Sequence, residues 1–97
     1  MPHYLIEVPH PADFLSCVRI VEVFLKSGSH FLTNAYWGCE DGVHSAWIIV
    51  DVESKPEALA IVPPAFRAGA RVVCLNSFTP QRIEEIRRLH EAAKSAG

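Results

Sequence analysis

Apolar and polar residues alternate along His30–Val52, HFLTNAYWGCEDGVHSAWIIVDV, in two arms on either side of Asp41-Gly42. A period of two is the mark of a strand with one dry face. Asp-Gly favours the positive φ angles that a two-residue type I′ hairpin turn needs. That turn pairs Glu40 with Val43 and sets the register with no further freedom. Cys39 then faces His44, Trp37 faces Ala46, Tyr36 faces Trp47, Asn34 faces Ile49 and Leu32 faces Asp51. One face carries Phe31, Thr33, Ala35, Trp37, Cys39, His44, Ala46, Ile48, Val50 and Val52, and is mostly dry. The other carries His30, Leu32, Asn34, Tyr36, Gly38, Ser45, Trp47, Ile49 and Asp51, and is mixed.

The flanking segments alternate between the two periods. His3–Val8 sets Tyr4, Ile6 and Val8 against His3, Leu5 and Glu7, a short half-buried strand stopped by Pro9 and Pro11. Asp13 or a neighbour can cap a helix that runs through Ser27, with Gly28 in the C′ position. Its apolar stripe is Phe14, Cys17, Val18, Val21, Phe24 and Leu25, which suits a helix lying on a sheet. Ser54-Lys55-Pro56-Glu57 is a capping box that starts a helix over Lys55–Val62, broken at Pro63-Pro64. Ala65–Arg67 can add a turn before Gly69. Arg71–Asn76 reads as a fourth strand rich in β-branched residues. Thr79-Pro80 opens a last helix with Ile83, Ile86, Leu89, His90 and Ala93 on its apolar side.

The order is β-α-β-β-α-β with an added C-terminal helix, in one domain over residues 1–97. This predicts an α+β ferredoxin-like unit: an antiparallel four-stranded sheet, strand order 4-1-3-2, with two helices on one face. The other sheet face stays open.

Composition narrows the class. The hydrophobic share is 49% and the charged share 21%, an ordinary globular balance. Net charge is −2, and Arg82, Arg87, Arg88 and Lys94 share a helix with Glu84, Glu85 and Glu91. That argues against nucleic acid, despite Tyr36, Trp37 and Trp47 on central strands. No apolar run approaches the roughly 18–20 residues of a membrane span. Cys17, Cys39 and Cys74 are odd in number and well separated, with no CxxC and no secretory pattern over Met1–Glu7. Free thiols in a cytoplasmic protein are the expectation.

As an element pattern, nearly the whole chain resembles the dimeric α+β barrel superfamily, which includes muconolactone isomerase-like, YciI-like and small cofactor-free monooxygenase proteins. The resemblance rests on the order of elements and on no catalytic motif. It implies a homodimer whose open sheet faces meet and enclose pockets, and it points towards small-molecule chemistry.

Three clusters could carry chemistry. At one sheet edge, parity brings His3, His30 and Asp51 onto the open face, with Glu7 further in. His3, Glu7 or Asp51 could act as base in proton transfer or cofactor-free oxidation, with Asp51 fixing a histidine tautomer. The alternative use of His3, His30 and Asp51 is a metal site; otherwise these groups are solvated. No other cofactor is implied. Asn34, Tyr36 and Trp47 could line a ligand pocket with Glu7 and Asp51, or anchor a dimer interface. Arg71 could hold a carboxylate there or sit at a solvated edge. The third cluster is Cys39 opposite His44, with His10 at the same end, which offers a reactive thiolate, metal ligands or a half-buried turn. Cys17 and Cys74 read as core packing.

Overall fold

The computed structural model describes residues 1–96. It is an α+β fold in which one antiparallel sheet of four strands has the order β2-β3-β1-β4. The strands are β1 (His3–Pro9), β2 (Tyr36–Trp37), β3 (Ser45–Asp51) and β4 (Arg71–Leu75). The helices are α1 (Phe14–Lys26), α2 (His30–Thr33), α3 (Lys55–Ile61), α4 (Pro64–Arg67) and α5 (Pro80–Ala96).

Alternation in the two central strands builds the core. Tyr4 pairs with Val50, Ile6 with Ile48 and Val8 with Ala46, and all six are buried. Ile20 and Phe24 of α1, Ala58 of α3, Leu32 and Val62 close over them. The Asp13 carboxylate accepts from the Ser16 amide at 2.9 Å and caps α1. Gly28 takes φ +77° beyond its end, a conformation that suits glycine. The buried face of α1 is centred on Ile20 and Phe24, with Cys17 and Val21 half-buried, whereas Phe14, Val18 and Leu25 of the expected stripe are exposed. Ser54 accepts from the Glu57 amide, and the Glu57 carboxylate accepts from the Glu53 amide, so the capping box forms one residue wider than its ideal.

The hairpin keeps its register and loses most of its first arm. Tyr36 faces Trp47 and Trp37 faces Ala46, as the turn placed them. Residues 30–33, however, form a helical turn capped by Ser29, whose hydroxyl accepts from the Leu32 amide. Leu32 is therefore buried and Phe31 exposed, the reverse of the strand assignment. Local capping by Ser29 and by the Thr33 hydroxyl, which donates to Ser29 O, outcompetes a period of two here.

The turn itself is longer than two residues. Cys39–Asp41 form a 3₁₀ turn, and Gly42 alone takes φ +80°. Val43 N donates to Gly38 O at 2.9 Å and Gly38 N donates to Ser45 O at 3.2 Å. Glu40 and Val43 consequently do not form the pair a type I′ turn requires.

α5 stands away from this body. Every described side chain along it is exposed except Ile86, which is half-buried. The chain measures 58 × 28 × 23 Å and its radius of gyration is 18.1 Å. A compact domain of this length has about 12–13 Å.

Candidate metal centre

At the end of the sheet where β1 stops and β3 starts, four side chains converge. His10 N donates to His44 O at 3.0 Å, which carries the β1–β3 ladder one pair past Pro9 and Ser45. The ladder thus sets two histidines opposite each other. Their rings meet edge to face with centroids 5.6 Å apart. Cys17 enters from the first turns of α1, where its amide donates to Asp13 O at 3.1 Å. Cys39 comes from the 3₁₀ turn, closed by Gly42 N donating to Cys39 O at 3.1 Å.

The ligand atoms of His10, Cys17, Cys39 and His44 all lie within 4.8 Å of one another, and all four residues are half-buried. Among the described residues this is the one such cluster of three or more. A tetrahedral zinc ion with Zn–S near 2.3 Å and Zn–N near 2.0–2.1 Å has ligand-to-ligand edges of roughly 3.3–3.8 Å. The cluster is therefore close to that size before any ion draws it together.

Two details fit a ligand set better than ordinary packing. His10 Nδ1–H donates to Pro11 O at 3.0 Å, which leaves the Nε2 lone pair facing Cys39 Sγ at 3.2 Å. That is the usual way a backbone carbonyl orients a metal-binding imidazole. Nδ1 of His44 is buried without a hydrogen-bond partner, a cost that a metal–nitrogen bond would remove. Burial pushes the Cys39 thiol up, and the neighbouring Cys17 thiol adds to the shift. That shift opposes the thiolate a metal ligand needs, so binding a cation there has to displace a proton. Trp37 walls the site on one side, tilted against His10 at 6.1 Å and against Phe24 at 5.1 Å.

The other expected site residues fall into two groups. His3 Nδ1 and Asp51 Oδ1 are 2.5 Å apart in the pair that the β1–β3 register sets. Asp51 also lines a hollow of about 380 Å³ with His30, Asn34, Tyr36 and Ile49. His30 is not drawn into a ligand cluster with His3 and Asp51, because it sits on a helical turn rather than on a strand. Glu7 is engaged elsewhere: its Oε2 accepts from Trp47 Nε1–H at 3.0 Å, and Arg71 lies 3.6 Å from its Oε1. Arg71 is the cross-strand neighbour of Glu7, at the exposed edge. Trp47 therefore fills a row with Glu7 and Arg71 and is not among the residues lining the hollow.

Two cysteine assignments change. Cys17 belongs to the metal-type cluster rather than to plain core packing. Cys74 is exposed, because it stands on the edge strand β4. Cys17 was discoverable: it shares the inward face of α1 with Phe24, above the sheet face that carries Cys39 and His44. No helix among the described residues is long and apolar enough to cross a membrane. No family model matches the chain, and no curated protein or solved structure matches it either.

Proposed function

We propose that this protein is a metal-binding module that holds one zinc-class ion through His10, Cys17, Cys39 and His44. The carrying observation is the convergence of two thiols and two imidazoles from four separate segments within 4.8 Å. Two sulfur and two nitrogen donors in a tetrahedron favour zinc over harder, oxygen-seeking cations. Four protein ligands fill the coordination sphere, as in sites that hold structure rather than activate a bound water.

The test is metal content. Protein purified without a histidine tag, reduced and dialysed against zinc, should hold one equivalent by elemental analysis. Cobalt in its place should give the intense visible absorption of a tetrahedral thiolate complex. Stoichiometry well under one with reduced thiols would end the proposal.

A second reading is favoured by the His3–Asp51 pair at the rim of the hollow. There a small polar or aromatic ligand would be oriented by Asn34 and Tyr36, with His3 available for proton transfer and Glu7 held in reserve by Trp47. Ligand-observed NMR against aromatic carboxylic acids, repeated with His3→Gln and Asp51→Asn, tests it; binding that ignores both changes removes it.

The finer architecture belongs to the same proposal. The order β2-β3-β1-β4 and the uncovered sheet face support a ferredoxin-like unit that pairs as a homodimer. Three free cysteines suit a reducing compartment, the cytoplasm.

A further inference from the structure

We propose that two copies of this chain embrace by exchanging α5, each laying its apolar stripe across the open sheet face of the other. This rests on the homodimer reading and specifies the contact. α5 is 17 residues long, and of its stripe Ile83, Ile86 and Leu89 only Ile86 is half-buried; Leu89 is 65% exposed. Just before it, Phe78 is 61% exposed. A helix of this length gains little stability in water without a surface to pack on.

The missing surface is present in the same molecule. Leu5, Ile49 and Val73 form a cross-strand row on the face opposite the core, with Ile49 50% exposed. One chain thus carries a helix without a floor and a floor without a cover. A two-fold axis satisfies both at once, because each copy supplies what the other lacks.

Dimensions agree. The helix is about 25 Å long and about 10 Å wide. β1 and β3 each run seven residues, about 23 Å, and with β4 beside them they span about 14 Å, wider than the helix. Each helix footprint is therefore about 250 Å², and two exchanged helices remove about 1,000 Å² from water, about the minimum for a biological interface and just under the usual range of stable ones. Charge does not oppose the contact: Glu7 and Asp51 on the sheet face are already paired with Arg71 and His3, and Arg87 on the helix is paired with Glu84.

The experiment is sedimentation equilibrium on the full chain and two surface variants, Ile86→Glu/Leu89→Glu on the helix and Ile49→Lys/Val73→Lys on the sheet. Circular dichroism and thermal melting confirm that each variant remains folded. The native chain should be a dimer, and each variant should weaken it by about tenfold or more. Loss only with the sheet variant would leave a dimer of facing sheets and overturn the exchange. Loss only with the helix variant would mean that the two α5 helices pair with each other, and would also overturn it. A monomeric native chain would overturn both the exchange and the homodimer reading.

Discussion

Loading the proposed zinc site should add a large part to this protein's thermal stability. The four ligands tie together the end of β1, the start of α1, the 3₁₀ turn and the start of β3. Treated as a cross-link from His10 to His44, the ion restricts the unfolded chain by about 4 kcal/mol, between the values for 15- and 100-residue loops. That is a ceiling, since thiols and imidazoles of the unfolded chain also bind metal. With free zinc at a hundredfold over its dissociation constant, mass action contributes about 2.7 kcal/mol. A domain of this size moves about 4–8 °C per kcal/mol, so the melting temperature should rise by about 10–20 °C. The assay is a reduced, tag-free thermal melt with zinc and with a chelator. Cys17→Ser and Cys39→Ser should each lose more than half of the rise. Chelated and zinc-loaded protein melting within about 2 °C of each other would refute the argument. So would a Cys17→Ser variant that keeps the full shift.

Other outcomes follow from the same geometry. Gly38→Ala would place a Cβ 2.7 Å from Val43 O and 2.8 Å from the Trp47 ring; urea titration should show a loss of about 1–3 kcal/mol, and zinc affinity should fall because Cys39 is the next residue. Trp47→Phe removes the 3.0 Å bond to Glu7 and should cost about 1 kcal/mol by the same titration; an unchanged midpoint would show the bond to be replaceable by water. Asp13 is held below the usual carboxylate range, first by the Ser16 amide and then by the Ser16 side chain. Its cap therefore stabilises the fold above the unfolded carboxylate pKa of about 3.9 and stops doing so as pH falls through the lower folded value. Thermal melts of native and Asp13→Ala protein should differ at neutral pH and converge in acid; a gap that stays constant into acid would contradict this.

Most of the framework was legible because it depends on local rules. The alternation of Tyr4, Ile6 and Val8, the caps at Asp13 and Ser54, and the register of Tyr36 with Trp47 all come from short-range pattern. The segment around His30 was not, since Ser29 and Thr33 offer the backbone hydrogen bonds that a period-two pattern does not reveal. That one substitution of helix for strand also leaves His30 in the hollow beside Asp51 without gathering it into a ligand cluster with His3 and Asp51. The histidine–cysteine cluster was three-quarters visible. Cys39, His44 and His10 were already gathered at one end of the sheet by parity, and only the angular position of Cys17 on α1 was left uncombined with them. The buried, partnerless Nδ1 of His44 had no sequence signal at all. Neither did the outward course of α5, because an amphipathic pattern names the sticky side of a helix and not the molecule it adheres to.

The antiparallel pairing of β1 with β3 has one more implication. His10 and His44 sit at one extremity of this two-rail track, and His3 and Asp51 at the other, about 23 Å away along seven strand residues. Occupants at the two extremities would be too distant to touch, yet both would tug on the same pair of rails. Engineers could therefore retune either terminus alone, and any crosstalk they measured would have to travel lengthwise through the ladder.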